Sequence, residues 1–305
     1  MTWKLSLPCT KAEAETIADE LPELSALEPP PVLMTSEPDP DRPEEWRLDA
    51  YFEAEPDGRA VMLVRALVPS AAQARAEVEE LAPQDWITLS QQGLEPIAAG
   101  RFFVHTPMHR DRVPPEAIAL EIDAGRAFGT GQHETTSGCL VALSRLKAGG
   151  LGFGNIADVG TGTGLLAFAA LRLWPVARVI ASDIDPVAIE VSAENAAINA
   201  VPLGRARGQV ELAVAPGLDH MRLRARAPYD LLVANILAGP LIELAPALSG
   251  AVEPGGRLIL AGLLKGQAEA VLSAYRRRGL TLAFSVEHGH WPTLVLRKRR
   301  ALGWR

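Results

Sequence analysis

The strongest chemical signal in the sequence is a run of glycines at alternate positions. Gly160, Gly162 and Gly164 follow a short apolar run, and a helical pattern over Leu165–Leu173 begins directly after them. Glycine lets a backbone approach a ligand closely, and the first N–H groups of a helix have no partner within the helix. The spacing G-x-G-x-G differs from the dinucleotide-binding G-x-G-x-x-G, and the sequence has no G-x-x-x-x-G-K-[ST] phosphate loop.

An acidic residue lies where a ribose-binding group is expected. Asp183 ends the next apolar run, nineteen residues after Gly164. A carboxylate at the end of that strand can accept hydrogen bonds from ribose hydroxyls. The loop, the acid and the strand–helix context together predict that Gly160, Gly162, Gly164 and Asp183 bind a nucleoside-containing cofactor.

The elements that must position these residues alternate between strand and helix after residue 150. Apolar runs predict strands at residues 156–159, 179–182, 210–214, 231–234 and 258–261, and helices are expected at residues 165–173, 187–199, 241–252 and 267–279. Residues 281–286 and 293–297 are expected to form a closing antiparallel pair. Repeated βα units predict an α/β, doubly wound sheet with its ligand at the carboxyl ends of the strands.

The first 84 residues show a different pattern, which predicts a small α+β, ferredoxin-like domain. The expected elements are a strand at 3–7, a helix at 11–21, a loop at 28–45, a hairpin of 46–52 with 60–64, and a helix from 70 to about 83. A linker over residues 85–125, with one strand at 101–105, leads to the catalytic domain at 126–305.

Composition and charge restrict the class of protein. The chain has 305 residues, 48% hydrophobic and 22% charged, and it lacks an apolar run of the roughly 18 residues that a membrane helix needs. Two cysteines cannot make a disulfide scaffold, so we expect a cytoplasmic protein with no membrane contact. The pair His288 and His290 beside Glu287 lacks cysteine partners, and we expect no metal ion.

The charge is unevenly distributed along the chain. Residues 11–60 hold fifteen Asp and Glu against four Lys and Arg, whereas residues 276–305 hold eight Lys and Arg against one Glu. Solvated surfaces explain both, but the acidic region also suits a basic protein partner. Aromatic residues interleaved with the basic tail are few, which disfavours direct nucleic-acid binding. We expect a monomer.

The glycine segment supports a resemblance to a known family. Residues 158–164, Asp-Val-Gly-Thr-Gly-Thr-Gly, resemble the first motif of the class I S-adenosylmethionine-dependent methyltransferases, and Asp183 resembles their ribose-binding acid. Three further segments resemble the PrmA family, the bacterial methyltransferases of the eleventh protein of the large ribosomal subunit. They are residues 127–136 (AFGTGQHETT), residues 235–240 (NILAGP), and residues 85–86 (DW) with 100–104 (GRFFV).

The resemblance implies a seven-stranded, Rossmann-like class I domain preceded by a substrate-recognition domain and a linker. It implies S-adenosyl-L-methionine as cofactor, a ribosomal protein as substrate, and modification of lysine ε-amines and an N-terminal α-amine. Thr136, Gly160, Asp183 and Asn235 correspond to positions that line the family's site. The chain departs from the family at Glu134, where proline is usual, and the glutamate adds charge and backbone freedom to this loop.

Asn235 is the catalytic candidate, because an amide or carbonyl oxygen there can accept an N–H bond from a substrate amine and so orient the lone pair of the amine nitrogen. The structural alternative is an asparagine that ends a strand and caps the following helix. Thr135 or Thr136 could bond the cofactor, although a helix N-cap explains one of them. His133 fits a proton acceptor or a structural hydrogen bond equally well, and Trp291 fits core packing better than a pocket wall.

Other functions stay open on the sequence. A lysine methyltransferase of another protein, such as an electron-transfer flavoprotein subunit, would keep the same chemistry. An NAD-dependent oxidoreductase is disfavoured by the G-x-G-x-G spacing, and a cofactor-binding module without activity is disfavoured by Asp183 and Asn235.

Overall fold

The computed structural model describes residues 2–17, 27, 31–36, 45–52, 54–81, 96–122 and 133–300. The chain divides into two compact units, Met1–Gly93 and Leu94–Arg305. The division falls within the segment 85–125 that the sequence assigned to a linker. Among the described residues, no helix combines the length and the apolar character needed to cross a membrane.

The N-terminal unit is a four-stranded antiparallel sheet with two helices. Its elements are β1 (Thr2–Thr10), α1 (Lys11–Thr16), β2 (Val32–Ser36), β3 (Glu45–Phe52), α2 (Gly58–Ala66) and β4 (Glu77–Leu81). The strand order is β2-β3-β1-β4, and every neighbouring pair is antiparallel. This βαββαβ arrangement is ferredoxin-like, as the sequence predicted.

Several predicted elements of this unit were wrong. Residues 60–64 lie in α2 rather than in a hairpin strand, because the Asp57 side chain caps the helix on the Ala60 N–H at 2.7 Å, and Ala60 and Val64 are buried one turn apart. Residues 32–36 form β2 inside the expected loop. The expected helix from Ser70 is a short 3-10 turn followed by β4, because pairing with β1 overrides the helical preference of the glutamates.

The second unit begins with a small three-stranded sheet. It consists of β5 (Ile97–Ala99), β6 (Phe102–His105) and β7 (Ile118–Glu121), with β5 antiparallel and β7 parallel to β6. The sequence placed only one strand in this segment. The other two are three and four residues long, too short to show a hydrophobic period.

The main sheet of this unit has seven strands in the order β10-β9-β8-β11-β12-β14-β13. The strands are β8 (Asn155–Val159), β9 (Arg178–Asp183), β10 (Gln209–Val214), β11 (Tyr229–Asn235), β12 (Val252–Ala261), β13 (Leu280–His288) and β14 (Trp291–Lys298). The first five are parallel, and β14 runs antiparallel to β12 and β13. The strand order reverses between β8 and β11, where open α/β sheets bind their ligands.

Helices cover both faces of this sheet and enclose two separate apolar cores. One core contains side chains of α3 (His133–Ala148), α4 (Leu165–Leu173) and α5 (Pro186–Ile198). The other contains side chains of α6 (Met221–Arg226), α7 (Ala238–Glu243), α8 (Ala245–Ala251) and α9 (Ala268–Arg276). The doubly wound fold class is confirmed. The expected single helix at 241–252 is divided into α7 and α8, because Pro246 in the first turn of α8 has no N–H to continue the hydrogen-bond ladder.

Candidate active site

The carboxyl ends of the parallel strands surround a cavity of about 660 Å³. Four predicted site residues line it together, namely Gly160, Gly162, Asp183 and Asn235. The remaining described residues of the lining are Thr135, Val159, Ile184, Ala215, Pro216, Gly217, Ile236, Leu237, Pro240, Glu243, Leu244, Gly262 and Trp291. The βα arrangement therefore brings residues 75 positions apart, Gly160 and Asn235, to one wall.

The glycine loop is tied to the neighbouring strand through its own amides. The N–H groups of Gly160 and Thr161 donate to the Ser182 carbonyl at 2.8 and 2.9 Å, and the Gly162 N–H donates to the Asp183 carboxylate at 2.8 Å. These donors are used inside the protein, so the loop offers shape more than a nest of amides for a phosphate. This distinguishes it from a dinucleotide or nucleotide phosphate cradle.

The three glycines have different roles, although all have positive φ. A Cβ on Gly160 would stand 2.3 Å from Ile236 Cγ2, and one on Gly164 would stand 2.4 Å from Phe168 Cζ. A Cβ on Gly162 would meet no atom within 4 Å. Gly160 and Gly164 are thus required by packing, whereas Gly162 keeps open a part of the cavity that a ligand can enter.

Asp183 is held in place at the end of β9. One carboxylate oxygen accepts the Gly162 N–H at 2.8 Å, and the other accepts the Asp185 N–H at 3.1 Å. Each oxygen of an ionised carboxylate can accept a second hydrogen bond. The side chain is therefore oriented by the backbone and retains acceptor capacity for the hydroxyls of a ligand.

A second carboxyl group, Asp158, lies completely buried beneath the loop. Burial raises its pKa to about 6; the Thr161 hydroxyl, which donates to it at 2.7 Å, opposes that shift, and the charge of Asp183 adds to it. Asp158 does not line the cavity. Its contact with Thr161 helps to hold the loop conformation that presents Gly162.

Asn235 is positioned by a tight backbone contact on the other side of the cavity. The Ile236 N–H donates to the Ala261 carbonyl at 3.1 Å, and a Cβ on Gly262 would stand 2.4 Å from the Ile236 carbonyl oxygen. Ile236 is thus wedged between Gly160 and Gly262. Within the described part of the chain, no group forms a hydrogen bond with the half-buried Asn235 amide, which is available to a ligand.

The other predicted residues fall outside this lining or outside the described residues. Gly164 caps α4, and Thr136 is buried on α3, whereas the adjacent Thr135 lines the cavity. α3 begins at His133, whose side chain is outside the description, as are the motif residues 127–132 and 85–86. No cluster of three or more potential metal ligands occurs among the described residues.

Comparison with protein families decides the relationship. A family described as "Ribosomal protein L11 methyltransferase (PrmA)" matches residues 2–299. The chain belongs to the PrmA family. The resemblance read from the glycine loop and the motifs at residues 127–136 and 235–240 is thereby confirmed.

Individual relatives of the PrmA family agree with this assignment. The ribosomal protein L11 methyltransferase of Brucella suis is 40% identical over 294 residues, which cover 96% of this chain and 99% of the relative. That of Agrobacterium fabrum is 41% identical over 268 residues, covering 87% and 89%. A solved structure, the ribosomal protein L11 methylase of Lactobacillus delbrueckii subsp. bulgaricus, has a TM-score of 0.58 and 27% identity, covering 68% of this chain and all of that chain.

The cavity of this PrmA-family chain fits the family's cofactor, S-adenosyl-L-methionine. Asp183 offers acceptors for ribose hydroxyls, the space at Gly162 admits a ligand close to the backbone, and Ile184, Ala215 and Pro216 offer apolar contact to a base. The described lining residues include no Lys or Arg, and the N–H groups of Gly160, Thr161 and Gly162, which could otherwise hold a phosphate, already donate within the protein. These features and the family match disfavour the NAD-dependent alternative.

Sequence reasoning missed several lining residues of the PrmA-family site. Gly262, which directly follows the predicted strand at 258–261, carried a signal, because a glycine at a strand's carboxyl end allows close approach. Glu243 lies on a helix that no motif marks. Trp291, assigned to core packing, is half-buried and lines the cavity, because β14 begins beside the carboxyl end of β12.

Proposed function

We propose that this chain transfers methyl groups from S-adenosyl-L-methionine to amines of ribosomal protein L11, at lysine ε-amines and the N-terminal α-amine. The observation that carries the proposal is the meeting of Gly162, Asp183 and Asn235 at one cavity in a PrmA-family fold. The relatives named above carry the name of L11 methyltransferases. A lysine of another protein is the alternative substrate that the experiment below also tests.

Each site residue has a role that follows from its position. When bound, S-adenosylmethionine supplies a methyl group on a sulfonium leaving group. Asp183 accepts hydrogen bonds from the ribose, and Gly162 leaves room beside the loop. The Asn235 oxygen accepts an N–H bond from the substrate amine and so directs the nitrogen lone pair. Gly160, Gly164 and Thr136 support these positions through packing.

Approximate free energies indicate which part of the reaction the protein assists most. Deprotonating a lysine of pKa about 10.4 costs about 4.6 kcal/mol at pH 7, and an α-amine near 7.7–8.0 costs only about 1. Apolar walls disfavour the ammonium form and lower that cost; the half-buried Ile236 and Trp291 belong to such walls here. Holding amine and methyl group in line can supply roughly 7–11 kcal/mol, so positioning is the main contribution that the protein makes.

The N-terminal unit is the proposed substrate-recognition domain, corresponding to residues 1–84, with 85–125 as the linker and 126–305 as the catalytic domain. Its β4 is an edge strand that carries exposed Glu77, Glu79 and Glu80, with Glu79 paired to Lys4. An acidic edge suits a basic ribosomal protein. We place the enzyme in the cytoplasm, because its cysteines Cys9 and Cys139 are free and buried, and we propose that it acts as a monomer.

The deciding experiment is incubation of the purified chain with labelled S-adenosylmethionine and purified large-subunit ribosomal proteins, read by intact-protein mass spectrometry. We expect methyl-sized mass increments on L11 alone. An Asn235→Ala variant should bind the cofactor but lose most of the increment, whereas Asn199→Ala, a structural amide bonded to Glu121, should keep catalysis if folded. Cofactor binding with no increment on L11, or with increments on another protein, would contradict the proposed substrate.

A further inference from the structure

Six arginines gather at the end of the main sheet that lies opposite the cavity. We name them the arginine edge: Arg257, Arg277, Arg278, Arg297, Arg299 and Arg300. Arg257 begins the part of β12 that pairs with β14, Arg277 and Arg278 follow α9, and the other three stand at the end of β14. β14 starts at cavity-lining Trp291, so the six residues to Arg297 separate the two ends by about 20 Å of strand.

Backbone pairing brings these arginines close together. Arg257 stands directly opposite Arg297 across β12 and β14. The Arg299 N–H donates to the Gly279 carbonyl at 2.9 Å. Because Gly279 directly follows Arg278 in the sequence, this bond brings the backbones of Arg299 and Arg278 close together. The Arg257 Nη1 donates to the Gly255 carbonyl at 2.6 Å, and Arg300 Nε lies 3.0 Å from where a Cβ on Gly255 would stand.

No carboxylate neutralises the arginine edge in the described part of the chain. On α9, Glu269 pairs with Arg276 outside the edge, and on β12, Glu253 forms no ion pair among the described residues. Asp230, on the strand beside Arg257, accepts the N–H groups of Gly154 and Asn155 instead. Burial and then the charge of Arg297 lower the pKa of the Arg257 guanidinium. Like charges directly opposite on neighbouring strands are destabilising, so an anionic partner would relieve a repulsion built into the free protein.

The chemistry of the side chains indicates the class of partner. A guanidinium presents a planar fork that matches a phosphate group in two hydrogen bonds. Five of the six side chains are exposed, and only Arg257 is half-buried. No aromatic residue belongs to the edge, which argues against stacking on single-stranded bases but not against contact with the backbone of an RNA helix, recognised through phosphates and shape.

We propose that the arginine edge binds the phosphate backbone of double-helical RNA, leaving the cavity at the other end of the sheet open to substrate. The choice of RNA rather than another polyanion rests on the proposed function, because a ribosomal protein is the proposed substrate and such proteins bind RNA in the ribosome. The low aromatic content noted in the sequence is compatible with this mode, since phosphate contact is independent of base sequence.

The test measures binding of the full chain to a labelled RNA stem-loop by fluorescence anisotropy over a range of salt concentrations. The variant Arg297→Gln/Arg299→Gln/Arg300→Gln should bind at least tenfold more weakly, with a salt slope shallower by about two to three. A matched control, Arg101→Gln/Arg145→Gln/Arg207→Gln, removes the same charge from exposed sites elsewhere in the unit and should bind within twofold of the parent. A second edge variant, Arg277→Gln/Arg278→Gln, should also weaken binding, and thermal melting checks that each variant is folded.

Four outcomes would overturn the proposal. Equal loss in the edge and control variants would mean that net charge alone attracts RNA. Competition by poly-glutamate as effective as that of RNA at equal charge would make the edge an acidic-protein surface, and equally tight binding to anionic vesicles would make it a membrane surface. Methylation of RNA-free L11 by the parent chain is measured in parallel. A parent chain that methylates L11 but does not bind the RNA stem-loop overturns this inference only, whereas a parent chain that binds the RNA but does not methylate L11 overturns the proposed function only.

Discussion

The two units of the chain use their sheets in opposite ways. In the catalytic unit, apolar cores cover both faces, so most side chains of the parallel strands are buried, and the polar side chains Asp183 and Asn235 that line the cavity stand at the strand ends. In the N-terminal unit, a single core packs the sheet, and charged residues such as Lys4, Arg47 and Glu79 lie along the strands. A sheet covered on both faces gathers its chemistry in a cavity at one end, whereas a sheet with charged strands and edges offers a surface to a partner.

The largest effect is expected from removal of the N-terminal unit, residues 2–93, which tests whether this unit recognises the substrate and the second unit binds the cofactor. We expect cofactor affinity within twofold of the full chain, because the described cavity lining belongs entirely to the second unit. Methylation of L11 should fall at least a hundredfold, because the proposed docking surface is gone. Calorimetry with S-adenosylmethionine and the mass-spectrometric assay provide the two readings, and a truncated chain that methylates L11 at the full rate would refute the recognition role.

Within the catalytic unit, two glycines of one loop should respond differently to the same change. Gly160→Ala combines a strained φ of +73° with a methyl group 2.3 Å from Ile236, so we expect a loss of about 3 kcal/mol in the free energy of unfolding. Gly162→Ala has a φ of +55° but meets no protein atom, so its loss should be about 1 kcal/mol.

Cofactor affinity distinguishes the two glycine variants further. The Gly162 methyl group would enter the cavity, and we expect at least a tenfold loss of S-adenosylmethionine affinity in protein that remains folded. Urea unfolding and calorimetry measure the two quantities. Equal stability losses in both variants would contradict the packing role of Gly160, and unchanged affinity in Gly162→Ala would contradict the space assigned to the ligand.

At the acid that ends β9, the expected effect falls on cofactor affinity rather than on folding. Asp183→Ala removes the ribose acceptor and the partner of the Gly162 N–H, and it should weaken S-adenosylmethionine binding at least tenfold. Asp185→Ala is the matched control: its carboxylate caps α5 on the Val187 N–H at 2.9 Å, so its removal should cost about 1 kcal/mol of stability and leave affinity unchanged. Similar affinities for the Asp183 variant and the parent would refute the ribose role.

Carboxyl groups in the two units should respond to pH with opposite signs. The pKa of buried Asp158 is raised to about 6, so its ionised form destabilises the fold above that pH, and the cost disappears as pH falls from about 6 towards 4. The free energy of unfolding of Asp158→Asn should therefore exceed that of the parent at pH 8. A shift of about two pKa units corresponds to a difference of up to about 3 kcal/mol, and this difference should be smaller at pH 5. Urea unfolding at both pH values measures the gap; a constant gap would contradict the raised pKa.

Glu13 in the N-terminal unit provides the contrast and the smallest effect. Burial by itself raises its pKa, but hydrogen bonds from Ser70 and Thr10 outweigh burial and lower the pKa to about 2. Its contribution to stability is present above about 4.5 and is lost as pH falls towards 2. Glu13→Gln should be less stable than the parent at neutral pH, by less than the Asp158 effect because water screens this side chain, and the difference should shrink on acidification below 4.5.

The units also differ in how well the sequence predicted them. Strands at 156–159 and 210–214 and the helix at 165–173 were placed within a residue or two, because strands buried on both faces appear as short continuous apolar runs. In the N-terminal unit, the apolar spacing of residues 60–64 fits either a strand or a short helix. The Asp57 side chain accepts the Ala60 N–H and so stabilises the start of the helix. The glutamates at 77–80 favour a helix locally, and pairing with β1 made them a strand.

The sequence alone therefore determined the loop chemistry, the acid at 183, the amide at 235 and the family, because these depend on residue types at short fixed spacings. Only the tertiary structure decided which of these residues line the same cavity. The crossover connections bring β8, β9 and β11 side by side, so Gly162, Asp183 and Asn235 meet, while Gly164 and Thr136 turn into the packing. The same folding brought Arg257 of β12 together with Arg297, forty positions later, because antiparallel pairing of β12 and β14 joins distant segments at one edge.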